Sequence, residues 1–187
     1  MPILGIIASA ITGNLVTTSY ESIATVTVGS GGSATVTFSS IPATYTHLQI
    51  RGIARDSRAS TNSDFSLRFN GDSATNYSFH TLEGTGSAVS SSAATNATDI
   101  SIANISGNNA GSDTFGASIA DILDYANTNK YKTVRSLGGH DNNGSGNIKM
   151  ESGNWRSTSA VTSITLIPNT ANFIQYTQFA LYGIKGA

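Results

Sequence analysis

Cysteine is absent from the 187 residues, so neither a disulfide framework nor a thiolate metal site can stand in for a hydrophobic core. A chain of this length does not need one, because a domain of its size buries roughly 70% of the surface its unfolded form exposes. The same absence leaves the redox compartment open. Charge is scarce too. Lys, Arg, Asp and Glu make up only 11% of the chain, against the ~25% of ordinary soluble domains. Ten basic residues offset eleven acidic ones, which leaves no electrostatic footprint for nucleic acid or for an anionic membrane surface. Partner choice must then rest on shape. Long apolar runs are missing as well: the opening run from Ile3 has about nine apolar residues, whereas a bilayer-spanning helix needs ~20. No Lys or Arg precedes Arg51, so a secretory signal's basic leader is lacking, although Ala8-Ser9-Ala10 imitates a cleavage site. Residues 1–15 are therefore expected to form an apolar anchoring arm. Its Ile3, Leu4, Ile6, Ile7 and Ile11 would be buried against another chain, with a single domain over 16–187.

What the chain does have is period-two alternation. Ala24, Val26 and Val28 alternate with Thr25 and Thr27, and Ala34, Val36 and Phe38 with Thr35 and Thr37. Across Gly29-Ser30-Gly31-Gly32 the two arms read as a β-hairpin. Pro42 stops the second arm, since it lacks an amide hydrogen. A third strand follows with Leu48, Ile50, Gly52 and Ala54 inward and His47, Gln49, Arg51 and Arg55 outward. Phe65, Leu67 and Phe69 make a fourth, closed by Asn70-Gly71-Asp72, a sequence suited to left-handed turn conformations. Residues 84–98 have little to bury and read as a long loop or an exposed edge. Phe115 to Asp121 is expected as a strand rather than a helix, because its i, i+3, i+4 stripe lacks length and a cap. Roughly ten or eleven short strands with turn signals every eight to fifteen residues indicate an all-β fold. The expected architecture is an antiparallel β-sandwich, jelly-roll-like, with a common core of Ala24, Val26, Val28, Val36, Phe38, Leu48, Ile50, Phe65, Leu67 and Phe69.

Chemistry-bearing motifs are hard to find. His47, His80 and His140 lack metal-ligand spacing. Asp141 opens a stretch with alternating oxygen side chains, but Ser152 stands at the twelfth position, where a calcium loop needs a bidentate Glu. There is no G-x-S-x-G elbow. Asp64, Asp72, Glu83 and Glu151 are carboxylates without distinguishing context for glycoside hydrolysis. We expect no enzymatic activity, no cofactor and no metal site. Two features could meet a partner. Arg51, Arg55, Arg58 and Arg68 form the one cationic cluster, and Trp155, beside Asn154 and Arg156, could stack on a sugar. Arg51, Arg55, Arg68 and Trp155 are thus the candidate partner or glycan contacts.

Four segments carry a resemblance: MPILGIIAS at the start, the block from Ser19 to Arg55, FNGDSATNYSFHTLEGTG, and the closing QFALYGIKGA. Through them the chain resembles a family of small tailed-bacteriophage virion structural proteins of the capsid decoration or fibre type. The resemblance implies a virion location and a homotrimer. It also implies contacts with the major capsid protein or other virion proteins, and no catalytic residues. Two functions follow as expectations: a capsid decoration or cement subunit that reinforces the shell, or a tail-fibre or head-fibre module that binds a host-surface glycan. A glycan site calls for several loop aromatics and only Trp155 and Tyr125 are plausible, which favours the first.

Overall fold

The computed structural model describes residues 19–186, which form twelve strands. They are β1 (Tyr20–Thr27), β2 (Val36–Phe38), β3 (His47–Ala54), β4 (Asn62–Phe69), β5 (Tyr77–Gly84), β6 (Val89–Ala97), β7 (Ile100–Ser106), β8 (Gly116–Leu123), β9 (Lys132–Asn142), β10 (Ser145–Trp155), β11 (Ile164–Pro168) and β12 (Gln178–Ile184). All strand pairs are antiparallel. An eight-stranded sheet runs β1-β12-β3-β8-β9-β10-β5-β6 and a four-stranded sheet runs β2-β11-β4-β7. The all-β sandwich expected from the alternation is the fold.

The core lies between the sheets and contains Val28, Val36, Phe38, Leu48, Ile50, Phe65, Leu67 and Phe69, all buried. Ala24 and Val26 are only half-buried and pack against its margin, because β1 is the last strand of its sheet and has a neighbour on one side. Phe65, Phe173 and Phe179 make the aromatic centre, with ring centroids 5.1 to 6.1 Å apart and edge-on or tilted, an arrangement that the ring quadrupoles favour.

The expected hairpin between residues 24 and 38 does not form. β1 pairs with β12 in the larger sheet, whereas β2 pairs with β11 in the smaller one. The glycine-rich segment does turn, with the Gly32 amide donating to the Gly29 carbonyl at 3.0 Å, but it carries the chain from one sheet to the other. Arg51 and Arg68 likewise sit on different sheets, on β3 and β4. A true two-residue hairpin joins β9 to β10, where Asn142 opposes Ser145. Asn143 and Gly144 there take φ of 55° and 88°, the left-handed pair that a type I′ turn requires. Residues 89–97, within the stretch read as loop or edge, form the edge strand β6.

Candidate functional site

Near the β6 edge of the larger sheet the usual inside-outside pattern is inverted. On β10 the inward positions are Lys149 and Glu151, both buried, while Ile148 and Met150 face outward at 59% and 50% exposure. On β5 Thr81 is inward and Leu82 outward, and on β9 Ser136 and His140 are inward and Leu137 outward. On β10 and β5 the inward polar groups pair with one another and with Ser101 of β7. Lys149 Nζ lies 2.7 Å from Glu151 Oε1 and donates to Ser101 Oγ at 2.7 Å, while Thr81 Oγ1 donates to Glu151 Oε2 at 2.6 Å.

Strand register aligns the outward apolar residues into two adjacent rows across the sheet. One row is Ile119, Leu137, Met150 and Leu82, direct cross-strand neighbours on β8, β9, β10 and β5. The next is Ile53, Ala117, Gly139, Ile148, Gly84 and Val89, running from β3 to β6. The second row contains two glycines, so it sinks into an open trough of about 720 Å³. A Cβ at residue 139 would meet the Asn147 carbonyl oxygen at 2.1 Å, so the close approach of β10 keeps that part of the floor bare. Cross-strand apolar pairs are normally what a sheet hides. Here they meet solvent, and contiguous apolar patches of this kind mark interaction sites.

Beside these rows lies a polar one, Gln49, Asp121 and Arg135, and Arg51 ends the first apolar row opposite Ile119. Arg51 is exposed on β3 with its guanidinium carbon 5.5 Å from the Tyr20 ring centroid and 5.9 Å from that of Tyr182. The two tyrosines stack on each other at 4.8 Å. Arg51 Nε and the Tyr20 hydroxyl both donate to Gln49 Oε1, whose amide in turn donates to Asp121 at 2.8 Å. Arg135 closes the row at 3.2 Å from Asp121.

The other sequence-derived candidates fall elsewhere. Arg55, expected to point outward, is 3% exposed. The backbone leaves the sheet after Ala54, so strand alternation stops and Ala54, Arg55 and Asp56 are buried in succession. Trp155 is also buried: it occupies an inward position at the end of β10, tilts against Phe69 at 5.4 Å, and donates its indole N–H to Asp72 at 2.7 Å. It offers no sugar-stacking face. Tyr125 is fully buried, its hydroxyl on the Pro42 carbonyl. Arg68 is half-buried and pairs with Asp99 at 3.4 Å. Ile3, Leu4, Ile6, Ile7 and Ile11 lie outside the described residues.

Each carboxylate considered for catalysis has partners: Asp64 accepts from Asn169 and Arg58, Asp72 from Trp155, Asn76 and the Ala74 amide, and Glu83 from Asn104 and Asn147. Asp64 and Glu83 share a polar cleft of about 470 Å³ with Asp99 and Lys149, where the smaller sheet leaves part of the larger one uncovered. No local sequence signal could bring them together, since they come from separate strands. Among the described residues no three His, Asp or Glu side chains group as metal ligands.

His140 lies beneath the trough with Nδ1 unpartnered. Burial holds its pKa below the ordinary imidazole value, against the opposing effects of the Asn147 hydrogen bond and the Asp141 charge. The unfolded chain therefore binds a proton on this residue that the folded chain resists, so stability present above about pH 6.5 is lost as pH falls through the folded value. Urea unfolding between pH 7.5 and 5 should show this loss, and His140→Gln should flatten it. An unchanged slope in the variant would place the pH dependence elsewhere.

Comparison with protein families, curated proteins and solved structures finds no match to this chain.

Proposed function

We propose that the protein is a bacteriophage virion structural protein, a capsid decoration subunit that acts through protein-protein contacts and assembles as a homotrimer. The observation that supports this reading best is the inversion on β9, β10 and β5. A free-standing protein gains nothing by directing Leu137, Ile148, Met150 and Leu82 to water while it buries Lys149 and Glu151. A subunit in an assembly does, since that face becomes interior once a partner covers it. The scarcity of charge agrees, because Ser and Thr lose less side-chain entropy at a contact than Lys or Glu. We also read the strand order as a jelly roll. Without the β5-β6 and β9-β10 hairpins it is β1-β12-β3-β8 against β2-β11-β4-β7, two interlocked Greek keys of the kind that capsid domains use. The inserted hairpins are the ones that widen the larger sheet and carry most of the apolar rows. The alternative, a fibre module for a host glycan, is weakened by the burial of both Trp155 and Tyr125.

The test is addition of the purified protein to phage capsids that lack it, followed by sedimentation and electron microscopy. Stoichiometric occupancy of regular sites on the shell is the expected result. Absence of binding to capsids, with binding to host-surface glycans instead, would replace this reading with the fibre one.

A further inference from the structure

The trough needs an occupant, and the chain carries a segment that matches it. Residues 3–11 include Ile3, Leu4, Ile6, Ile7 and Ile11 and no charged side chain. The trough rows are apolar in the same way, with Ile119, Leu137 and Ile148 above a floor that includes Gly139 and Gly84. Extended, nine residues span roughly 30 Å, enough to lie across the strands from β8 to β6, four strand spacings or about 19 Å apart.

Where the described chain begins decides whose segment fits. Ser19 precedes β1, at the opposite edge of the sheet from β6. Tyr20 lies in line with Ile184 and His47, whereas the near end of the trough, Ala117, lies in line with Ile53. The separation is three strand spacings across, about 14 Å, and six residues along, about 20 Å, or roughly 25 Å in a straight line. The eight residues from Ser19 back to Ile11 cover about 26–29 Å at full stretch. To seat its own segment, a chain would have to lie taut over the twisted sheet and across its polar Gln49–Asp121–Arg135 row. A neighbour's segment meets no such constraint. Arm from one edge into trough near the other is a head-to-tail contact, which closes into a ring when the rotation allows.

We infer that the trough on the outer face of the eight-stranded sheet receives residues 3–11 of a second copy of this chain. The inference rests on the assembly reading above and names the partner of that face. The native chain has no cysteine, so paired substitutions report cleanly. The double variant Ile7→Cys/Ile148→Cys of the full chain, oxidised and run on non-reducing gels, should form covalent dimers and higher ladders. Their yield should exceed that of either single variant at least tenfold. A cross-linked monomer with both thiols protected would show that the segment folds back on its own trough and would overturn the inference; so would the absence of any cross-link. Leu137→Asp, which places a charge at the trough wall, should convert the full chain to a monomer by light scattering with its circular dichroism unchanged. Retention of the oligomer would also overturn the inference. Capsid binding is scored separately. Cross-linking without capsid binding would leave arm exchange standing and remove the decoration reading, and capsid binding without cross-linking would do the reverse.

Discussion

Phe65→Ala is expected to destabilise the protein by about 3 to 5 kcal/mol, the range for deleting a fully buried phenylalanine. Phe65 has no exposed surface and its ring touches those of Phe173 and Phe179 at 6.1 and 5.3 Å. The two remaining rings also contact each other, so they hold their places and the vacated volume closes poorly. Both the lost transfer energy and a residual cavity therefore contribute. The three residues come from β4, from the segment before β12, and from β12 itself, so the cluster ties the two sheets together. At about 2 to 4 °C per kcal/mol for a chain of this size, the melting midpoint should fall by roughly 10 °C. Ile53→Ala, on the outer face at 49% exposure, is the matched comparison and should stay within about 0.5 kcal/mol. Equal losses for the two variants would mean that the core is not where these contacts place it.

Arg55→Met should have an effect of similar size for a different reason. The Arg55 guanidinium donates to the Asn108, Ala110, Ser112 and Thr114 carbonyls at 3.1 Å each and to that of Gly111. These carbonyls belong to the connection between β7 and β8, which has no regular structure of its own to satisfy them. Four of these acceptors depend on this one side chain, since the Gly111 carbonyl also accepts from the Thr114 amide at 3.0 Å. Methionine fills similar volume but donates nothing, and each buried carbonyl left unpaired costs about 1 to 3 kcal/mol unless it reaches water. The loop is near the surface, so it should open and recover part of that. The net expected loss is about 3 kcal/mol, with amide exchange accelerating in residues 107–115 before the rest of the sandwich. Arg55→Lys should recover only part of the stability, because a single ammonium has three donors and cannot match the planar fork. Full rescue by lysine would show that charge alone holds the loop.

Much of this fold was written in local patterns. Period-two alternation set which residues of β3 and β4 are inward, because a strand's side chains must point to opposite faces whatever it pairs with. Asn70-Gly71 placed a turn, because few residues accept positive φ. The low charge and the absence of cysteine were equally plain. Pairing was not local. An alternating arm looks the same whether it folds back on its neighbour or crosses to the other sheet, so β1 and β2 read as a hairpin. In the folded chain β1 pairs with β12, more than 150 residues away in sequence. That choice belongs to the whole set of sheet contacts.

The same limit hid the candidate surface. Reading apolar residues as inward works where a sheet is covered on one side, but on β10 the phase is reversed, with Lys149 and Glu151 inside. Their burial is tolerable only because Ser101 on β7 and Thr81 on β5 complete the hydrogen bonding, partners that no window of sequence brings together. Trp155 and Arg55 turned inward for related reasons: one holds a position in the inverted strand, the other follows the point where the backbone leaves the sheet. The sequence by itself determined an all-β sandwich, its turns and most of its core, since these follow from steric and hydrophobic preferences of neighbouring residues. Tertiary structure decided the strand order, the fate of Arg55 and Trp155, and the two apolar rows, because each depends on register between strands distant in the chain.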